Sequence, residues 1–61
     1  MLSRKHYVAI ASEFKTAYED VADDGAAVVM ADFARRLAGV FAGDNPAFDR
    51  ERFLKACGVE Q

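Results

Sequence analysis

Residues 44–58 are Asp44-Asn45-Pro46-Ala47-Phe48-Asp49-Arg50-Glu51-Arg52-Phe53-Leu54-Lys55-Ala56-Cys57-Gly58, and they contain the start and stop signals of one short helix. Asn45-Pro46 ends the preceding element, because a proline ring disfavours helical backbone in the residue before it. Asp49 is placed to accept hydrogen bonds from the free amide groups of a new first turn. We therefore predict that a helix begins at Arg50.

Two aromatic residues connect this helix to the rest of the chain. Phe48 precedes the capping residue and Phe53 occupies the fourth helical position, which is the spacing of a hydrophobic staple. Gly58 offers the left-handed backbone that commonly follows the last helical residue. The predicted helix therefore covers residues 50–57 and folds back through the contact between Phe48 and Phe53.

An amphipathic helix is predicted over residues 4–22. Its apolar residues recur at three- and four-residue spacing, which places them in one stripe along a helix. Ser3 comes just before this segment and can cap its first turn. The residues of the stripe are Tyr7, Ile10, Ala11, Phe14, Tyr18 and Val21.

Four acidic residues follow, at Glu19, Asp20, Asp23 and Asp24. Carboxylates oppose the helix dipole at a C-terminus but are favourable at an N-terminus. This favours a break in the chain, with Asp23 or Asp24 opening a second helix and Gly25 easing the reversal. The alternative is one bent helix that continues through Gly25.

The second helix, predicted over residues 26–42, is the most apolar segment of the chain. Its apolar residues spread around the circumference, which is typical of a helix buried on more than one side. We therefore predict a compact all-α, three-helix domain in which helix 2 is central. The residues expected to drive self-association are Val28, Val29, Met30, Phe33, Leu37, Val40 and Phe41.

Length and composition limit how this domain can be stabilised. The 61 residues form a single domain, 1–61, and a domain of that size buries only about 60% of its unfolded surface. One cysteine excludes an internal disulfide, and one histidine with one cysteine does not make a closed zinc site. Self-association is the remaining way to stabilise so small a domain. A symmetric homodimer is expected, because two-fold dimers are the commonest oligomers.

Charge and hydropathy argue against two kinds of partner. A net charge of −2 supplies no overall positive field for nucleic acid or an anionic membrane. The most apolar run, from Gly25 to Gly43, is interrupted by charged residues and is shorter than the about 20 predominantly apolar residues of a membrane span. No secretory signal peptide is visible. We expect a soluble protein with no membrane partner.

Catalytic chemistry is not indicated by the sequence. Nucleophilic catalysis needs a base beside the nucleophile, and His6 is the only imidazole. Cys57 is expected to be buried and inert in the last turn of helix 3, where the helix dipole does not acidify a thiol. The acids between residues 19 and 24 lack the spacing of a calcium loop. We expect no enzyme, no cofactor and no metal site.

Basic residues on helices 2 and 3 are the candidates for contact with another partner. They are Arg35, Arg36, Arg50, Arg52 and Lys55. A short helix after a loop resembles the outline of a helix-turn-helix unit, whose second helix contacts a DNA groove. Against DNA binding, the connecting turn is longer than usual, and nearby acidic residues dilute the positive field that phosphates require.

Two segments of the chain carry a resemblance to a known group of proteins. They are Ser3-Arg4-Lys5-His6-Tyr7-Val8-Ala9-Ile10-Ala11 and the stretch from Asn45 to Gly58. Together they resemble short uncharacterised proteins of tailed bacteriophages and prophages, with an S-R-K-H-aromatic opening and an N-P-R-F-D-R-x-R-F-x-x-A-C-G ending. Here Ala47 replaces the usual arginine. The resemblance implies a phage-encoded protein acting in a bacterial cytoplasm, and it transfers no activity and no functional residue.

The function expected from these observations is a small non-enzymatic accessory protein that binds a host or phage protein and forms a homodimer. The acidic balance favours this, as does an apolar surface larger than one small chain can hide. The alternative is a small DNA-binding regulator that uses the basic residues of helices 2 and 3.

Overall fold

The computed structural model describes residues 2–59, and over that range the chain forms three α-helices and no strand. They are α1 (Arg4–Glu19), α2 (Asp24–Asp44) and α3 (Arg50–Cys57). The prediction of an all-α, three-helix domain is confirmed, and α1 and α2 are separate helices. Their bounds differ from those predicted, because α1 ends at Glu19 and α2 extends beyond residues 26–42 at both ends.

The starts of α2 and α3 follow the capping signals in the sequence. The Asp23 carboxylate accepts a hydrogen bond from the Gly25 N–H at 2.9 Å, so Gly25 lies in the first turn of α2 and not in the reversal. The Asp49 carboxylate accepts from the Arg52 N–H at 3.0 Å, as predicted for the cap of α3. These bonds satisfy amide groups that have no partner inside the helix.

The end of α3 uses the predicted glycine. Gly58 has a φ of 82°, which lies in the left-handed region where only glycine is unstrained. The chain then turns back, and the Val59 N–H donates to the Leu54 carbonyl at 3.2 Å. The Val59 side chain is buried, which is the apolar contact that commonly accompanies this helix ending.

Four aromatic rings form the centre of the core. Tyr7 of α1 lies 5.1 Å from Phe41 of α2 and 4.6 Å from Phe48 of the second loop, which connects α2 to α3, measured between ring centroids. Phe53 of α3 lies 5.5 Å from both Phe41 and Phe48. The predicted contact between Phe48 and Phe53 is thus present, and it belongs to a cluster that joins all three helices.

The ring contacts also fix the direction of the helices. Phe48, just before α3, contacts Tyr7 near the start of α1, and Gly58, just after α3, lies beside Lys15 near the end of α1. Helices α1 and α3 are therefore parallel, and α2 is antiparallel to both. The short α3 packs against both neighbours, whereas α1 and α2 touch each other least. In this respect the fold differs from the prediction of a central helix 2.

Candidate protein-interaction surfaces

The inner face of α2 is made of small residues. Ala31, Ala34 and Ala38 are its buried residues, and Phe41 joins the ring cluster at its far end. Alanine side chains let neighbouring backbones approach closely, but they fill little volume. The large apolar residues of α2 therefore lie mostly elsewhere on the helix.

The outer face of α2 is exposed, and it carries large apolar residues together with the paired Arg36 and Asp32. Val29, Phe33 and Val40 are 68%, 54% and 65% accessible, and their spacing places them along one side of a helix of 3.6 residues per turn. Met30 and Leu37 flank this side and are half-buried. We call Val29, Phe33 and Val40 the α2 stripe.

Two of the seven self-association candidates lie apart from the α2 stripe. Phe41 is half-buried and packs against the core in the ring cluster, away from the exposed side of the helix. Val28 is 68% accessible, but it projects about 100° away from Val29, its neighbour in the helix. The structure thus reduces the seven candidates to one stripe with two half-buried flanking residues.

The total accessible surface is large for a chain of this size. The chain exposes 4369 Å², whereas about 3,900 Å² is expected for a monomer of 6.7 kDa. The domain is elongated, with extents of 34 × 18 × 17 Å, and α2 spans most of its length. The exposed residues of the α2 stripe contribute to this surface.

The basic candidates are all exposed, but they do not form one patch. Arg36 donates to the Asp32 carboxylate at 2.7 Å, and this hydrogen bond, with the charge of Asp32, raises the pKa of Arg36. On α3, Arg52 and Lys55 are three residues apart and share a side, whereas Arg50 projects from another side. One of the five is therefore already paired with an acid.

A groove that the sequence analysis did not anticipate lies between α1 and α3. Its volume is about 350 Å³. From α1 it is lined by Arg4, Tyr7, Val8 and Ala11, and from the second loop and α3 by Asn45, Ala47, Phe48, Asp49, Arg52, Phe53 and Ala56. The sequence signal that could have indicated it is Val8, an apolar residue outside the core stripe of α1.

The two reactive side chains lie at opposite ends of the parallel helices. His6 is exposed in the first turn of α1, where its Nδ1 accepts a hydrogen bond from the Ser3 N–H at 3.2 Å. Cys57 is fully buried in the last turn of α3, and burial raises the pKa of its thiol to about 11. The thiol is therefore held protonated at neutral pH, away from the only imidazole.

Residues 2–59 offer neither a metal-binding cluster nor a membrane-spanning helix. Within that range no three or more His, Cys, Asp or Glu residues are grouped so that they could hold a metal ion. None of the helices there combines the length and apolar character needed to cross a membrane. Comparisons with protein-family models, curated proteins and solved structures gave no match.

Proposed function

We propose that this protein is a small non-enzymatic accessory protein that acts through protein–protein interaction and forms a symmetric dimer through the α2 stripe. The observation that carries the proposal is the exposure of Val29, Phe33 and Val40 along one side of the longest helix. Large apolar side chains scattered singly on a surface need no explanation, whereas three on one side of a helix, interrupted there by Arg36, are typical of an interaction site.

A second copy of the chain is the simplest cover for the stripe. In a two-fold dimer the stripe of one copy packs against the same stripe of the other copy, so the two sides of the interface are identical. With 21 residues, α2 is about 31 Å long, which gives a helix pair enough length for an extended contact. The half-buried Met30 and Leu37 widen that contact toward the core.

The biological setting that we propose rests on the resemblance to phage proteins. We place the protein in the cytoplasm of a bacterial host, as a phage-encoded factor that binds a host or phage protein. The supporting observations are the two segments that carry the resemblance and the net charge of −2. Neither identifies the partner.

The dimer is tested by gel filtration coupled to light scattering. Val28 and Val29 are equally exposed neighbours, and only Val29 lies in the stripe, so they make a matched pair. We expect twice the chain mass of 6.7 kDa for the parent and for Val28→Glu, and the single-chain mass for Val29→Glu. A parent chain that stays monomeric at every concentration, or equal effects of both substitutions, would reject the proposed dimer.

The alternative, DNA binding, predicts a different measurement. Contacts with phosphates make affinity fall steeply with salt concentration, so a titration against random duplex DNA at several salt concentrations is decisive. The pairing of Arg36 with Asp32 argues against this alternative. Measurable affinity with a steep salt slope, lost in an Arg50→Ala/Arg52→Ala double variant, would replace the proposed function with DNA binding.

A further inference from the structure

We propose that the groove between α1 and α3 binds an acidic peptide segment of a partner protein, with an apolar side chain of that segment inserted beside Val8. The proposal rests on the proposed function only in taking the partner to be a protein. The groove is separate from the α2 stripe, so binding there does not depend on dimerisation.

The groove is a consequence of helix direction. Because α1 and α3 are parallel, their first turns lie at the same end of the domain, and the groove runs between them. Tyr7 and Phe53, which are buried, are also among its lining residues. A groove built on two packed helices is pre-formed, which lowers the entropic cost of binding.

The apolar lining of the groove includes atoms that the core does not use. Val8 is 59% accessible, and Ala56 on the facing helix is also exposed, although both line the groove. Phe48 is half-buried, so its ring is only partly covered by the core. These groups can bury a peptide side chain without any rearrangement of the helices.

The polar lining of the groove favours a negative ligand. Arg4 and Arg52 both line it, and neither guanidinium makes an ion pair within residues 2–59. Both side chains lie in the first turns of their helices, where a positive charge opposes the helix dipole. No acid of the described chain neutralises either guanidinium, so both are available to a carboxylate ligand in the groove.

The acidic residue of the groove does not cancel this preference. The Asp49 carboxylate already accepts a hydrogen bond from the backbone N–H of Arg52, as the cap of α3. It does, however, make the groove a poor site for a long polyanion, and Glu51 adds a second negative charge in the same turn. A mixed charge beside an apolar lining suits a peptide that carries both carboxylates and an apolar side chain.

The test uses a random dodecapeptide library displayed on yeast and selected on the purified full chain. Enriched peptides are then measured with two double variants that carry the same change of charge in the same helix turns. Arg4→Glu/Arg52→Glu alters the groove, and Lys5→Glu/Arg50→Glu alters residues that do not line it. Acidic residues in a first turn favour the helix dipole, so neither variant is expected to lower the melting temperature.

We expect enriched peptides to combine Asp or Glu with one large apolar residue. Their affinity should fall by about tenfold or more in the groove variant, through loss of charge-assisted hydrogen bonds. It should change by less than about threefold in the control, because salt screens exposed charges outside the contact. Val8→Ser should also weaken binding, whereas Val28→Ser on α2 should not.

Each contrary result overturns the proposal. These results are no enriched peptide, enriched peptides without acidic residues, and equal affinities for the two double variants. Displacement of the peptide by duplex DNA at physiological salt would assign the groove to nucleic acid. A monomeric mass for the groove variant, with a dimeric mass for its control, would assign the groove to a second copy of this chain. Failure of the α2 dimer alone would leave the peptide measurements unaffected.

Discussion

Helices α2 and α3 show opposite relations between apolar content and burial. Most of the large apolar residues of α2 lie on its surface, and its fully buried residues are alanines. Half of the residues of α3 are charged, in the sequence Arg50-Glu51-Arg52-Phe53-Leu54-Lys55-Ala56-Cys57, yet Phe53 and Cys57 are almost completely buried. Burial in a small domain thus depends on where the apolar residues point and what they meet, and less on how many a helix contains.

The difference has a geometric cause. Helix α3 is short and lies against both other helices, so its few apolar side chains meet partners on two sides. Helix α2 runs along most of the domain, but the rest of the chain is too small to cover it on more than one side. The apolar stripe that remains is therefore available for an intermolecular contact.

The largest expected effect comes from replacing one phenylalanine on α3 and, for comparison, one phenylalanine on α2 with alanine. Phe53 is 4% accessible and contacts Phe41 and Phe48, so Phe53→Ala should lower the free energy of unfolding by about 3–5 kcal/mol. Phe33→Ala, on the α2 stripe, should change it by less than about 0.5 kcal/mol in the monomer. Urea unfolding followed by circular dichroism at low protein concentration measures both. Equal losses for the two variants would contradict the assigned burial.

A smaller effect tests the inner face of α2. Ala34 is completely buried, so Ala34→Leu should lower the free energy of unfolding by about 1–3 kcal/mol through overpacking. The matched control is Ala26→Leu on the same helix, where the side chain is exposed and leucine is a good helix former. If Ala34→Leu were as stable as Ala26→Leu, the close approach of the helices on this face would be wrong.

The smallest expected effect compares one glycine within α2 with the glycine that ends α3. A Cβ atom at Gly39 would meet nothing within 4 Å, so Gly39→Ala should raise the free energy of unfolding by about 0.5–1 kcal/mol. Gly58 has a positive φ, so Gly58→Ala should lower it by about 1–2 kcal/mol. Thermal unfolding of both variants should therefore show melting temperatures on opposite sides of the parent value, and shifts of the same sign would contradict the conformations assigned to these glycines.

The sequence predicted the helices best where a local signal was strong. The cap at Asp49, the staple between Phe48 and Phe53 and the exit at Gly58 all involve residues within one or two turns, and all three are present. The end of α1 was predicted less well, since the apolar spacing continues to Val21 while the helix ends at Glu19. Periodicity reports which residues can share a face, and it does not show where a helix stops.

The candidate surfaces were predicted only in part. The three residues of the α2 stripe were among the seven apolar candidates, but the sequence offered no reason to separate them from Phe41. The groove between α1 and α3 was not predicted, because Arg4 and Arg52 are far apart in the chain. They line the same groove only because the two helices are parallel.

The amino-acid sequence by itself determined the number of helices, the caps of α2 and α3 and the aromatic residues available for the core, because these depend on interactions between near neighbours in the chain. The tertiary structure alone decided which side of α2 faces inward. A helix that is apolar around its circumference can be buried on any side, so local patterns do not choose among them. The choice is made when Phe41 joins the rings of Tyr7, Phe48 and Phe53, since that contact turns the alanines inward and leaves Val29, Phe33 and Val40 exposed.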